Sequence, residues 1–221
     1  MNFEKARMNM INQQIRPWEV YDLKALKTLE KIKREEFVPE EYKNLTFADT
    51  EIPLFDGENM LSPKMEAKFL QEASIKNNNT VLEIGTGSGY MAALLAQHAE
   101  KVTTVEISKK NKLFAEQNLN NYGIKNVTVE LGDGSNGWCN SKENKTPWDV
   151  IVVSGGLNKI PNNMIEQLKI NGRIVAVVGN ELVMSACILE KKSDVSWIIN
   201  NLFETKIKNL YSAEIYSKFN F

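Results

Sequence analysis

From Thr80 onward the chain repeats one pattern: a short apolar run, a glycine or polar turn, then a stretch with helical spacing. The runs TVLEIG, KVTTVEI, NVTVELGD, WDVIVVSG and GRIVAVVG are of strand length, and YMAALLAQHA, KLFAEQNLNNYG and residues 161–169 space their apolar side chains as helices do. Strands that alternate with helices of this length build a mostly parallel sheet with helices on both faces. VLEI and VIVV are almost continuously apolar, as a strand buried on both faces must be. The tail departs from the pattern. ACILEKK, VSWIINNLFE and IYSKFNF read as two or three further strands, with a hairpin at 191–194, so the sheet should finish in antiparallel strands. The fold class that follows is α/β.

Upstream of Thr80 the organisation is helical. Residues 3–15 carry Phe3, Ala6, Met10, Ile11 and Ile15 on a rough stripe that Pro17 ends. A second helix is expected over 22–32, capped by Asp22, with Leu23, Leu26, Leu29 and Ile32 on one side. REEFVPEEY reads as a turn at Pro39 into a short helix, and 44–59 as a loop with one short edge strand. In GENMLSPK, Ser62 before Pro63 reads as an N-cap residue followed by a proline at the first helical position. The expected division is an N-terminal helical extension and loop over 1–60, packed on a main domain over 61–221.

Composition narrows the function. The 221 residues carry 27 basic and 28 acidic side chains, a formal charge of −1, which weighs against a protein that tracks a nucleic-acid backbone. No apolar run reaches the length of a membrane span or a signal core, so a cytoplasmic protein without membrane contact is expected. Cys139 and Cys187 stand far apart and His98 is the single histidine, which leaves no ligand set for structural zinc; no metal is expected. His98 reads as a helix-end side chain and both cysteines as indifferent thiols.

The local feature richest in chemistry is Glu83-Ile84-Gly85-Thr86-Gly87-Ser88-Gly89. A strand ends at Ile84, and the glycines permit a tight turn and close approach of a ligand to the backbone. The spacing is G-x-G-x-G, not the G-x-G-x-x-G of a dinucleotide site, and no Walker lysine follows. A carboxylate at Glu83 would repel a pyrophosphate and suits a neutral or cationic centre. Glu106 closes the second strand, where an acid bonds ribose hydroxyls, and Asp133 closes the third, where it accepts from an adenine amino group. Three acids at three consecutive strand ends share one edge of the sheet.

VLEIGTGSGY at 81–90, NVTVELGDG at 126–134, PWDVIVVSGG at 147–156, LKINGRIVAVVG at 168–179 and REEFVP at 34–39 together resemble the protein-L-isoaspartate O-methyltransferase family of class I S-adenosylmethionine-dependent methyltransferases. The resemblance covers almost the whole chain and implies a Rossmann-like methyltransferase fold. It also implies S-adenosyl-L-methionine as cofactor and S-adenosyl-L-homocysteine as product. Glu83 through Gly89 would cradle the methionine part and Glu106 with Ile107 the ribose. Asp133 and Gly134 would meet the adenine, while Ser154 and Gly155 line the pocket near the methyl group. The implied acceptor is an isoaspartyl carboxylate in a damaged peptide or protein, and the implied enzyme a monomer.

Methyl transfer to a carboxylate asks for no strong base, because the acceptor is already ionised near neutrality. The chain departs from the family in its acceptor loop. Where the family has T-I-S-A-P-H, this sequence has Asn59-Met60-Leu61-Ser62-Pro63-Lys64, so Leu61 takes the serine position and Lys64 that of the histidine. Lys64 is expected to face an anionic ligand or a neighbouring carboxylate such as Glu66 or Asp56. The family's F-V-P-L strand is replaced by a polar stretch at 206–210, and Arg16-Pro17-Trp18 reads equally as a lid or as ordinary packing. Two alternatives stay open: a methyltransferase of the same fold with another acceptor, and a non-catalytic protein that binds the cofactor.

Overall fold

The structure is a computed structural model that describes residues 2–139, 147–180 and 182–213. The third tail run, IYSKFNF, lies outside these residues. Helix α1 (Phe3–Met10) continues through a widened turn, Ile11–Ile15, and a 3-10 turn, Arg16–Trp18; α2 (Leu23–Lys31) follows. Asp22 caps α2 by accepting from the Lys24 amide at 2.7 Å, as its sequence position suggests. Leu26, Leu29 and Ile32 are buried, but Leu23, placed on the same stripe by spacing, is 66% exposed. It is the first helical residue and lies off the end of the packed face.

After 3-10 turns at Arg34–Glu36 and Glu40–Leu45, the acceptor loop forms its own small hairpin. Strands β1 (Ile52–Pro53) and β2 (Asn59–Met60) pair with each other, where a single edge strand was expected. Helix α3 (Pro63–Ala73) leads into β3 (Thr80–Ile84), α4 (Tyr90–Ala96), β4 (Lys101–Glu106), α5 (Lys109–Tyr122) and β5 (Val127–Leu131). The chain then returns to the sheet centre with β6 (Trp148–Leu157), α6 (Asn162–Glu166) and β7 (Leu168–Gly179), and ends in β8 (Met184–Ser193) and β9 (Ser196–Glu204). The helix expected over 161–169 stops at Glu166 because Leu168 already pairs with Trp148 in the β6–β7 ladder. The β8–β9 turn falls at Asp194–Val195, at the end of the expected 191–194, since Lys191 is still paired with Trp197 and Ser193 with Ser196.

The sheet order is β5-β4-β3-β6-β7-β8-β9; the first five strands are parallel and the last two antiparallel. Alternation along the central strands sorts side chains into two layers. Val81, Val150 and Val152 join one apolar cluster, whereas Leu82, Ile84, Ile151 and Val153 join the other. The first cluster also holds Met10, Ile15, Leu29 and Phe37, so the N-terminal helices form part of the layer that covers this face. Strand order reverses between β3 and β6. In an open α/β sheet, the crevice at the carboxyl ends of such a pair is where ligands bind.

Candidate active site

The chain leaves β3 through three glycines with positive φ, at 93° for Gly85, 54° for Gly87 and 84° for Gly89. The requirement is steric as well as conformational at Gly89, where a Cβ would lie 3.2 Å from that of Ala115 in α5. Gly89 therefore seats α4 against α5 and does not touch the cleft. Thr86 turns inward, its hydroxyl 2.6 Å from that of Thr104.

The cleft over the carboxyl edge has a volume of about 720 Å³, open mouth included. Of the residues expected to form the site, Leu61, Ile84, Gly85, Gly87, Glu106, Ile107, Asp133, Gly134 and Ser154 line it. Glu83, Thr86 and Ser88 line a smaller chamber beside it, which shares Asn59, Leu61, Gly85, Gly87 and Ser154 with the cleft. Ser62 and Lys64 border neither.

The three acids differ in environment. Glu83 is fully buried in β3; Thr104 donates to it at 2.7 Å and Ser154 at 3.1 Å. Burial pushes its pKa up to about 8, against the pull of those two hydroxyls. Glu106 accepts from the amides of Gly87 at 2.8 Å and Ser108 at 2.9 Å, which ties the glycine turn to the end of β4. Burial raises its pKa as well, and the backbone donors oppose the rise. At Asp133 burial also disfavours ionisation, but hydrogen bonds from Ser212 and Ser135 outweigh it and hold the carboxyl below its usual range.

This lining suits a nucleoside attached to an amino acid. Ile107 is apolar yet 44% exposed at the cleft, a surface for a flat ring. A Cβ on Gly134 would approach Ile84 to 2.9 Å, so the floor under that ring is kept flat. Each Glu106 oxygen takes one backbone donor and keeps acceptor capacity for hydroxyls.

Two expectations about the acceptor loop need correction. Ser62 occupies the N-cap position of α3 with extended backbone angles, but its hydroxyl makes no capping bond; the carbonyl does the work, accepting from Met65 and Glu66. Lys64 meets a neighbouring carboxylate, though neither Glu66 nor Asp56. Its ammonium lies 3.0 Å from Asp49 and 4.0 Å from the centre of the Trp18 ring. Glu66 pairs with Arg34, and Asp56 with Lys110 and Ser108. Arg16, Pro17 and Trp18 line no part of the cleft, which favours packing over a lid. His98 meets Thr28 at 2.7 Å, Cys187 is buried and Cys139 exposed, all away from the cleft.

Sequence reasoning missed part of the wall. Lys208, Asn209, Leu210 and Tyr211 border the cleft because the amide of Leu210 donates to Gly156 at 2.9 Å and that of Gly156 to Lys208 at 2.8 Å. The Lys208 ammonium reaches Glu58 at 2.7 Å and the Gly57 carbonyl at 2.9 Å, joining this segment to the acceptor loop. The available signal was position, since 206–210 is where the resembled family has its F-V-P-L strand. Among the described residues no group of three or more His, Cys, Asp or Glu side chains is placed to hold a metal ion, and no helix is long and apolar enough to cross a membrane.

Residues 5–213 match the sequence model of the family described as Protein-L-isoaspartate(D-aspartate) O-methyltransferase (PCMT). A protein-L-isoaspartate O-methyltransferase of Geobacter metallireducens is 35% identical over 202 residues, 91% of this chain and 92% of the relative. One from Brucella anthropi is 37% identical over 179 residues, 81% of this chain and 80% of the relative. Among solved structures, a protein-L-isoaspartate O-methyltransferase superposes with a TM-score of 0.78 at 28% identity, covering 92% of this chain and 65% of that one. A Plasmodium falciparum structure titled as a family member in complex with S-adenosyl-L-homocysteine gives the same TM-score, 0.78, at 19% identity, covering 95% of this chain and 98% of that one. That second likeness speaks for the fold alone. Sheet order, cleft and family match agree, and the chain belongs to the protein-L-isoaspartate(D-aspartate) O-methyltransferase family.

Proposed function

We propose that this chain is an S-adenosyl-L-methionine-dependent carboxyl O-methyltransferase whose acceptor is an isoaspartyl carboxylate in a protein or peptide. The observation that carries the reading is the convergence of Glu83, Glu106 and Asp133 on one edge of the sheet, beneath a loop that supplies Leu61 to the same cleft. When bound, the cofactor supplies a methyl group activated by its sulfonium, and S-adenosyl-L-homocysteine is left after transfer.

Glu106 would hold the ribose hydroxyls, Asp133 and Gly134 the adenine with Ile107 against its face, and Gly85, Gly87 and Glu83 the methionine part. Ser154 and Gly155 border the space left for the acceptor. No residue has to remove a proton, because an isoaspartyl carboxylate is ionised at neutral pH. The protein's task is alignment and the exclusion of competing water. Leu61, buried at the junction of cleft and chamber, supports the second role.

Incubation with labelled S-adenosyl-L-methionine and an isoaspartyl peptide beside its aspartyl twin tests the reading. Base-labile label on the isoaspartyl peptide alone is the expected outcome, and label on neither would sink it. The apolar Leu61 also favours a second reading, the same cofactor chemistry on a different acceptor. Restoring a hydroxyl separates the two. A neutral hydrogen bond contributes about 0.5–1.5 kcal/mol, so Leu61→Ser should raise isoaspartyl kcat/KM by about 2- to 13-fold. A fall in turnover would instead mean that the leucine suits the true acceptor.

Lys64→Met should leave the acceptor KM within about twofold of wild type, since Asp49 and Trp18 occupy its ammonium outside the cleft. A change of fivefold or more, about 1 kcal/mol and the upper end of what a surface pair contributes, would return Lys64 to the acceptor path. A monomeric cytoplasmic enzyme without nucleic-acid partners fits the balanced charge and two unpaired cysteines, and size-exclusion chromatography checks the monomer.

A further inference from the structure

The segment 208–212 walls one side of the cleft, and two glycines of β6 let it lie close. A Cβ on Gly155 would stand 2.5 Å from Leu210 Cδ2, and one on Gly156 2.4 Å from Asn209 Oδ1. With the backbone bonds between Gly156 and residues 208 and 210, this contact seats the segment beside Ser154 and Gly155, where the space for an acceptor lies. Ser212 bonds to Asp133 at one end of the wall. At the other end Lys208 reaches Gly57 and Glu58 in the hairpin of the acceptor loop.

Charge makes Lys208 stand out. It is the one cation among the described residues that line the cleft, against Glu51, Glu58, Glu106 and Asp133. A carboxylate entering this lining is repelled by every ionised acid and attracted by Lys208 alone. The ammonium is also available for exchange: its pair with Glu58, at 2.7 Å, joins side chains that are 47% and 31% exposed, and such a pair is weak. The charge of Glu58 is felt at Glu106, so the pair lies within electrostatic reach of the cofactor site. Aligned on Leu210, the F-V-P-L of the resembled family would place valine at Lys208, so the ammonium is a departure of this chain. Leu61 withdraws a hydroxyl from one side of the acceptor space, and Lys208 adds a donor on another.

We propose that Lys208 is an acceptor-binding residue: its ammonium leaves Glu58 and holds the reacting carboxylate by the oxygen that does not take the methyl group. The inference rests on the carboxylate acceptor proposed above. Lys208 stays protonated throughout. The bond from sulfur to methyl breaks with its electron pair left on sulfur, and a bond from the carboxylate oxygen to the methyl forms. The product is a neutral ester, which holds an ammonium less well than a carboxylate does, so Lys208 returns to Glu58 and release is favoured.

Titration calorimetry on protein saturated with S-adenosyl-L-homocysteine measures acceptor binding without turnover. The probes are an isoaspartyl peptide and the same peptide with its free carboxylate replaced by a carboxamide. Lys208→Met should weaken the isoaspartyl peptide about tenfold or more and leave the carboxamide within about twofold. Lys208→Arg should bind both within about threefold of wild type. Glu58→Gln should act in the opposite sense and tighten the isoaspartyl peptide about two- to fivefold, because the competitor for the ammonium is gone. A pair that only braces the wall would weaken both peptides in both variants. S-adenosyl-L-homocysteine itself should bind every variant within about twofold of wild type.

Unchanged isoaspartyl affinity in Lys208→Met, an equal loss for both peptides, or weaker isoaspartyl binding in Glu58→Gln would each overturn the proposal. So would a tenfold loss of S-adenosyl-L-homocysteine in Lys208→Met, which would assign the ammonium to the cofactor's own carboxylate. The expected variant effects in a wild type that transfers no methyl group to the bound peptide would overturn the methyltransferase reading alone. A wild type that binds no isoaspartyl peptide would overturn both.

Discussion

Arg34→Met is expected to lower the melting temperature by about 6–20 °C. Arg34 is fully buried and makes three hydrogen bonds, to Glu66 on α3, Thr46 in the turn that follows Glu40–Leu45, and Leu61 in the acceptor loop. Methionine fills much of the volume but leaves Glu66 buried without its partner and two carbonyls without donors. Breaking one side of such a pair typically destabilises by about 3–5 kcal/mol, and a chain of this size loses about 2–4 °C per kcal/mol. The loss should also depend on pH. Glu66 already titrates well above an ordinary glutamate, at about 7, and removing Arg34 raises it further. A carboxyl whose folded pKa exceeds its unfolded value favours folding while protonated and loses that contribution as pH rises towards the folded pKa. The deficit in Arg34→Met should therefore be smaller near pH 5 than near pH 8, by about 1.4 kcal/mol for each tenfold gain in the proton affinity of Glu66. Calorimetry at both values checks the sign. The double variant Arg34→Met with Glu66→Met should recover most of the stability, because replacing both partners of a buried pair by apolar groups is often neutral. A single variant within about 1 kcal/mol of wild type would show that the pair does not organise this layer.

Glu106→Ala should weaken S-adenosyl-L-homocysteine by about a hundredfold, close to 2.7 kcal/mol, with much less effect on folding than Arg34→Met. The side chain has two tasks. It receives the Gly87 and Ser108 amides, which fix the glycine turn relative to β4, and it faces the cleft where the ribose hydroxyls would lie. Under the proposed placement of the cofactor, alanine would remove the acceptor for the hydroxyls and release the turn beside the methionine part, so both halves of the cofactor would lose contact. Hydrogen bonds to a charged group contribute about 1.5–3 kcal/mol, and two such losses partly replaced by water support the figure. Glu106→Gln, which keeps one acceptor oxygen, should fall between the two by titration calorimetry. A dissociation constant in Glu106→Ala within about threefold of wild type would remove Glu106 from the cofactor site.

Much of this site lies close to its sequence signal. Glu83, Glu106 and Asp133 stand at or beside the ends of β3, β4 and β5, and parallel strands bring their carboxyl ends to one edge. The glycine turn was legible for the same reason: backbone conformation there is set by adjacent residues. Glu66 was not. On sequence it looked like a first-turn acid beside Lys64, yet Cβ atoms on a helix diverge by a large angle over two residues. One of the two meets Arg34 inside the protein and the other meets Asp49 and Trp18 near the surface. Ser62 shows the converse, a residue type and a position that suit a cap without the hydroxyl making the bond.

The α/β class, the glycine turn and the acids at the strand ends are legible in the chain alone, because apolar periodicity and turn chemistry are properties of neighbouring residues. Which side chains face each other across elements emerges only when the layers pack. Arg34 and Glu66 are 32 positions apart, Lys208 and Glu58 150 apart, and the segment at 208–211 reaches the cleft only by pairing with Gly156. Such contacts are selected by burial and charge compensation in the assembled layers. No local stretch of the chain contains both halves of the interaction.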